Sequence, residues 1–497
     1  MRVLLVHPSP LLFSEIYLRL EPLGVERVAA ALEAAGHDVR LVDLQVFPPD
    51  AYRQLLIGWQ PEVVGFSLNY LANVPEVIDL ARDAKATVPG CRVLVGGHSA
   101  SFIAEELVEH AEGAIDCVVR GEGEAVAPVV LESFAGSGAL TAVPGVVTPD
   151  GRGPAPMLVS DLAAHPPARH LARRRRKYFI GELDPCASVE FTRGCPWDCA
   201  FCSAWTFYGR SYRMLSAEAA AEDLARIAEP NVFIVDDVAF IKAEHGLAIA
   251  DAIERRRIRK RYYLETRADV LLRNREVFAR WAKLGLRYMF LGIEAIDEEG
   301  LRLHRKRVHI DQNLQALDVA RELGLVVAVN IIADPDWDER RFGVVRDWAL
   351  SVPEIVHMTI NTPYPGTETW LTESRRFTSQ DYRLFDVQHA VLPTRLPLRR
   401  FYEEFVRTQD ILNRKHLGLR ALYDVFGIAM RLLAHGQTNF LRMLWKFGGV
   451  YTPDRLMQDH ERAVRYALRL PETVRQSSRP AGTELYVHRP GAVVAHA

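Results

Sequence analysis

A chain of 497 residues is too long for one ordinary core, and this length predicts about two to four domains. Apolar residues at 49% and charged residues at 25% give the balance of a soluble globular protein. A formal net charge of −2 supplies no global attraction to nucleic acid, and there is no run of about 18 or more apolar residues to cross a membrane. The opening MRVLLVHPSP has a short apolar run without a cleavage site, so it reads as a first strand rather than a signal peptide. Six cysteines, three of them clustered, suit a reducing cytoplasm; Cys91, Cys117 and Cys186 are expected as buried free thiols.

Residues 2–7 read as a buried strand and 23–35 as a helix that Gly36 stops. Strands follow at 39–42, 63–67, 92–96 and 117–121, with a helix over 74–86. Strands alternating with helices imply an α/β unit, a doubly wound parallel sheet over residues 1–155. Such sheets bind ligands beyond the carboxyl ends of their strands. The loops there are His7-Pro-Ser, Ser67-Leu-Asn-Tyr70, Gly96-Gly-His-Ser99 and Gly121-Glu-Gly-Glu124. Their glycines let backbone approach a large ligand, and the absence of Gly-x-Gly-x-x-Gly disfavours a dinucleotide fold. Asp150-Gly151-Arg-Gly153-Pro154 and His165-Pro-Pro167 mark a joint, giving a linker over 156–180. Its basic run Arg173-Arg-Arg-Arg-Lys177 reads as a solvated stretch, since the nearly neutral total argues against a nucleic-acid partner.

A second alternation runs over 181–375. A strand at 188–192 leads into Thr192-Arg-Gly-Cys195-Pro-Trp-Asp-Cys199-Ala-Phe-Cys202. Three thiolates at this spacing can hold three irons of a 4Fe-4S cube and leave the fourth open to a small molecule. Structural zinc usually wants four closed ligands, and Cys186 makes no pair with these three. Phe201 is placed to shield such a cluster. Further strands are expected at 231–236, 262–267, 287–292, 326–332 and 355–361, giving a partial (β/α)6 barrel with its chemistry at the carboxyl strand ends. Those ends carry Asp236 and Asp237, Glu265 and Arg267, Glu294, Asn330 and Asn361, a recurrence that suits a polar ligand. Trp205, Phe207, Tyr208 and Tyr212 follow the cysteines and read either as a pocket wall or as packing. Residues 376–475 read as a helical C-terminal region. There Arg420, Arg431 and Arg442 recur on helices that would pack over the barrel mouth or lie on a membrane. The tail, 476–497, is expected to be disordered.

The cysteine motif after a short strand resembles the radical S-adenosylmethionine (SAM) enzymes. With the preceding domain, the chain resembles their cobalamin-dependent methyltransferases. The segments His7-Pro-Ser-Pro-Leu11, Gly65-Phe-Ser-Leu-Asn69, Cys202-Ser-Ala-Trp-Thr206, Ile331-Ile-Ala-Asp-Pro335 and Asn361-Thr-Pro-Tyr-Pro-Gly366 look like the bacterial hopanoid C-3 methylases. The resemblance implies three cofactors: a 4Fe-4S cluster on Cys195, Cys199 and Cys202, SAM, and cobalamin as methylcobalamin. It assigns the corrin to Ser67, Asn69, Gly96, Gly97 and His98, and SAM to Asp236, Glu265, Arg267 and Glu294. Arg267 would pair bidentately with the SAM carboxylate. Asn69 stands where the family has leucine. The family's Asp-x-His-x-x-Gly is absent at His7, which implies cobalamin without a protein histidine beneath cobalt.

The implied reaction is methylation of an unactivated carbon, C-3 in ring A of a hopanoid. A deoxyadenosyl radical would remove hydrogen, and the carbon radical would take methyl from cobalt. The implied partners are the hopanoid lipid and an electron donor such as ferredoxin or flavodoxin, with no nucleic acid. The implied location is the cytoplasm, with peripheral contact at the inner face of the membrane. The rivals are a cobalamin radical enzyme acting on a tetrapyrrole, peptide or antibiotic precursor, and a cobalamin-binding sensor without catalysis.

Overall fold

The computed structural model describes residues 1–136, 138–415, 419–471 and 485–488. Five parallel strands open it: β1 (Arg2–His7), β2 (Asp38–Asp43), β3 (Val63–Ser67), β4 (Arg92–Gly96) and β5 (Cys117–Val119). Their order is β2-β1-β3-β4-β5, and two antiparallel edge strands, β6 (Val146–Thr148) and β7 (Gly151–Arg152), extend the sheet. The strands are continuously apolar because both faces are covered. Leu4, Val6, Val64 and Phe66 pack with helices Val74–Thr87 and Ala104–Ala111. Val3, Leu5, Val63 and Leu94 pack with Leu23–Ala34 and Ala127–Phe134. The strand order reverses between β1 and β3, so connections diverge there and leave a crevice at the carboxyl ends. The Asp150-Gly151 turn, expected to open the joint, instead closes the β6–β7 hairpin inside the first sheet.

The barrel has six parallel strands in sequence order: β8 (Cys186–Val189), β9 (Asn231–Ile234), β10 (Arg261–Arg267), β11 (Leu286–Glu294), β12 (Val326–Ala333) and β13 (Ile355–Ile360). β8 ends earlier than expected. Thr192–Arg193 turns away and pairs antiparallel with Arg213–Met214, which closes the cysteine loop at its base. Among the described residues β8 and β13 do not pair, and the segment after β1 crosses this open side. Phe13 and Ile16 enter the barrel core, each burial contributing about 1.5–3 kcal/mol, and Tyr17 stands edge-on to His357 of β13 at 5.8 Å. Leu183, Cys186 and Phe233, with Tyr263 and Tyr288, plug the amino end. Cys91, Cys117 and Cys186 are buried and free, as expected.

The basic run at the joint is solvated, as expected, at Arg173, Arg174, Arg176 and Lys177, and Arg175 is the exception. Arg169 and Arg175 are drawn between the two units by buried carboxylates: Arg169 donates to Glu21 and Asp223 at 2.8 Å each, and Arg175 to Glu21 and to Glu229 at 2.9 Å. Burial and the Glu21 charge hold the neighbouring Glu26 carboxyl well above its ordinary range. Arg174 lies over the Phe47 ring at 4.1 Å.

Helix Leu398–Arg414 packs on β13 and on helix Glu339–Ser351. The next two, Leu419–Ala434 and Asn439–Val450, form a hairpin through Ala429, Leu432 and Phe440. This hairpin lies at the amino end of the barrel and not over the mouth. Asn439 donates to Asp184 at 3.1 Å, Arg431 stands 3.7 Å from Glu182, and Arg442 and Lys446 hold Glu15. The side chain of Arg420 lies outside the described residues. No described helix is long and apolar enough to cross a membrane. Within the tail expected to be disordered, residues 485–488 are packed. Val487 and His488 donate backbone N–H groups to Thr206 and Phe207, and His488 is fully buried; the rest of that tail lies outside the described residues.

His389 is buried between Asp386 (3.0 Å) and Asp459 (3.4 Å), beneath Phe13. Burial lowers its pKa, but the two carboxylates outweigh burial and raise it to about 9. The stability this contributes is complete below the ordinary histidine pKa of 6.5 and is lost as pH rises through about 9. Denaturant unfolding from pH 6 to 10 should show a loss of about 3 kcal/mol that is absent in His389→Leu.

Candidate active site

The cysteine loop is held from below by its own backbone. Asp236 accepts from the N–H groups of Phe191 (2.7 Å) and Thr192 (3.0 Å) and from the Thr192 hydroxyl (2.7 Å). Expected to touch SAM, this buried carboxylate is instead spent on anchoring the strand that feeds the loop. Its neighbour Asp237 accepts from the Gly194 N–H at 2.9 Å and faces the thiols; burial raises its pKa to about 6. The Trp205 indole donates to the Cys199 carbonyl at 3.0 Å, so this ring packs the loop rather than lining a pocket. Phe201 stands edge-on to His304 at 5.4 Å.

The thiols influence one another. Burial, then Cys202 and Asp237, raise the Cys195 pKa; burial and Cys199 push Cys202 up to about 12. Thiols that resist ionisation, as Cys195 and Cys202 do, become thiolates on a cationic iron cluster. Two donors face them: the Ala204 N–H at 3.4 Å from Cys202 Sγ, and Arg267 Nη1 at 3.6 Å from Cys199 Sγ. Among the described residues no three His, Cys, Asp or Glu side chains form a group that could hold a single metal ion. A cube gripped at separate irons does not need the three thiols to meet at one point.

At the barrel mouth Arg267 is already engaged. It donates to Asp269 (2.9 Å) and the Lys306 carbonyl (2.7 Å), and it lies 4.5 Å over Trp197. Its fork is thus not free for a bidentate SAM carboxylate, and its remaining edge is turned to the cluster loop. Glu294 accepts from Lys306 Nζ at 2.9 Å. It takes a left-handed φ of 65° at the end of β11, a strained conformation of the kind that gathers at ligand sites. The pair lies over Gly292, where a Cβ would meet Lys306 Nζ at 2.7 Å. Glu265 is half-buried, and burial with the Asp237 and Glu294 charges raises its pKa to about 7. Among the expected SAM contacts, Glu265 and Glu294 face this space. Asp237 and Lys306 join them, and only their spatial neighbours reveal that. Asn330 donates to Thr359 at 2.8 Å.

The loops after β3 and β4 are laced together. Asn69 donates to Ser67 Oγ (3.1 Å), its Oδ1 accepts from the His98 N–H (3.1 Å), and its carbonyl accepts from Ser99 (2.8 Å). Gly97, at φ 112°, admits no side chain: a Cβ would lie 2.7 Å from the Leu68 carbonyl. Ser67, Asn69, Gly96 and Gly97 thus form one rim. His98 does not join it, because its ring reaches the barrel. Nε2 lies 2.8 Å from Ser203 Oγ, and the ring stacks on Phe207 at 4.7 Å, beside Cys202. Burial lowers its pKa to about 4, so it is neutral there.

Between rim and barrel lies a cleft of about 220 Å³, lined by His7, Ser9, Asn69 and Tyr70 from one unit and by Ser188 and Val235 from the other. This is below the roughly 300–1,000 Å³ of pockets that enclose a whole ligand. Tyr70, 52% exposed, projects from the rim to line this cleft. A separate surface groove beside Glu403, Arg407 and Arg414 contains none of the expected residues.

Residues 10–131 match the B12 binding domain family and residues 189–349 the Radical SAM superfamily. The chain is 60% identical to the hopanoid C-3 methylase of Methylococcus capsulatus over 98% of its own length and 95% of that protein's. It is 26% identical to the anaerobic magnesium-protoporphyrin IX monomethyl ester cyclase of Rubrivivax gelatinosus, over 74% and 69% of the two chains. The fold is shared with the cobalamin-dependent SAM radical enzyme OxsB carrying aqua-cobalamin and SAM (TM-score 0.65, 15% identity, 93% of this chain and 80% of that). It is also shared with the radical SAM methyltransferase TsrM from Kitasatospora setae (TM-score 0.61, 17% identity, 76% of each chain).

Two substitutions separate the roles assigned above. Cys199→Ala should abolish 5′-deoxyadenosine formation and the cluster's visible absorbance while cobalamin still binds, because the corrin rim is built on other strands. His98→Ala should leave the spectrum of bound cobalamin unchanged and lower the melting temperature, since its ring joins the two units; an altered cobalt spectrum would instead return His98 to the corrin.

Proposed function

The chain belongs to the cobalamin-dependent radical SAM methyltransferases, and we propose that its substrate is a hopanoid, methylated at C-3 of ring A. Its cofactors are cobalamin, SAM and a 4Fe-4S cluster. When bound, the cluster and SAM supply a deoxyadenosyl radical, and cobalamin supplies the methyl group. The observation that carries the hopanoid reading is 60% identity maintained over 98% of the chain, through both units and the helical region.

In this reading Cys195, Cys199 and Cys202 hold the cluster, with Phe201 beside them and Arg267 offering a positive charge to the Cys199 corner. Glu265, Glu294 and Asp237 surround the place of SAM. Their carboxylates suit its ammonium and ribose hydroxyls, and Lys306 offers a counter-charge for its carboxylate. Ser67, Asn69, Gly96 and Gly97 form the rim for the corrin, across the cleft from the barrel lumen. Phe290 and Val235, both half-buried, give that lumen apolar wall for a rigid hydrocarbon. The chain's task is positional: an unactivated carbon has no group to polarise, so rate depends on holding three reactants at near contact. The reading includes a one-electron donor such as ferredoxin or flavodoxin and contact with the inner face of the membrane, where the lipid resides.

Anaerobic reconstitution with SAM, cobalamin, reductant and a hopanoid should yield a 3-methylhopanoid, with 5′-deoxyadenosine and S-adenosylhomocysteine released together. Deoxyadenosine formed without any methylated hopanoid, alongside methylation of a tetrapyrrole or peptide, would remove the substrate reading and leave the family intact.

A further inference from the structure

The C-terminal hairpin buries one face and leaves the other apolar face in water. Ala429, Leu432 and Phe440 are covered, whereas Trp445 is 83% exposed, Phe426 65% and Met430 51%, with Leu433, Leu441 and Leu444 beside them. Isolated exposed apolar residues need no explanation, but a contiguous set including a tryptophan marks a contact surface. The hairpin's own charge has one sign. Between Asp424 and Asp454 the sequence contains no Asp or Glu, while Arg431, Arg442 and Lys446 lie within it. Arg442 and Lys446 share the single carboxylate of Glu15 and Arg431 stands 3.7 Å from Glu182, so the cations outnumber the carboxylates facing them and leave the apolar face a net positive surround, the chemistry that enters the interface of an anionic bilayer. The face is also continuous with the cleft. Arg442 and Lys446 grip Glu15, and the adjoining Ser14 and Leu18 line the cleft that reaches Ser188 and Val235 of the barrel.

We propose that the hairpin Leu419–Val450 docks on an anionic lipid bilayer, inserting Phe426, Met430, Leu433, Leu441, Leu444 and Trp445. Docking also places the Glu15 segment at the membrane as the wall through which a lipid reaches the cleft. The docking step stands on the hairpin alone; only the access step rests on the lipid-substrate reading.

The test uses the purified full-length protein and hopanoid-free vesicles of phosphatidylglycerol and phosphatidylethanolamine, compared with phosphatidylcholine alone. The wild type should float with the anionic vesicles at least tenfold more than with the neutral ones. Brominated lipid should quench part of its tryptophan emission, and that part should be missing in Trp445→Phe. The triple variant Phe426→Ser, Met430→Ser, Trp445→Ser should lose flotation at least tenfold while keeping its melting temperature. If the triple variant fails to fold, the quenching comparison decides the matter by itself. A wild type that stays at the bottom of the gradient, or equal quenching in Trp445→Phe, overturns the proposal. So does a dimer seen by light scattering that the triple variant dissolves, because the face would then belong to a second copy. With no hopanoid in the vesicles, failure of the substrate reading leaves this result untouched. Enzyme that methylates hopanoid in detergent but never floats refutes docking alone.

Discussion

Arg193 sits immediately before the cysteine loop, with its guanidinium removed from water. A buried cation is tolerable only if carboxylates over-satisfy it, and here three do. Glu122 and Glu124, from the loop after β5, accept at 2.7 Å each, and Glu190, from the barrel, accepts at 2.8 Å. Arg213, on the strand paired with Arg193, completes the set by donating to Glu122 at 2.8 Å. Burial pushes the Glu122 carboxyl up, but the two arginines outweigh it and hold the pKa at about 2. Removing one partner from such a set strands a buried charge, at about 3–5 kcal/mol. The corrin-side loop and the cluster loop are therefore fixed to each other by charges neither can release. Radical methylation needs that, because its two cofactors are carried by different domains.

A second contact repeats the arrangement with little charge. The neutral His98 ring bridges from the β4 loop to Ser203 and Phe207, one residue beyond the last cluster thiol. The tail adds a third, as Val487 and His488 clasp the same short helix. The segment after His7 is tied to the barrel as well: Phe13 and Ile16 enter its core, and Glu21 accepts from Arg169, Arg175 and the Ser188 N–H.

The two alternating strand patterns, the six-stranded partial barrel and the three thiols were legible from local order. A parallel strand buried on both faces is written as a continuous apolar run, and a tripod of cysteines as an eight-residue spacing. Side-chain duties were less legible. Asp236 and Asp237 are adjacent and chemically identical, yet one anchors backbone and the other faces the thiols, because alternation along the strand end turns them to opposite sides. Arg267 lies on the lumen face, as expected, but its fork is claimed by Asp269 and by the Lys306 carbonyl, 39 positions away. The basic run at the joint is solvated except at Arg175, whose partners, Glu21 and Glu229, are distant in sequence.

The sequence by itself determined the fold class, the cofactor set and the family, since periodicity and short motifs act over neighbouring residues and survive without knowledge of contacts. Only the tertiary structure decided which polar groups remain free for a ligand. Buried donors and acceptors must be paired, and pairing is settled by whichever distant residue the fold brings alongside.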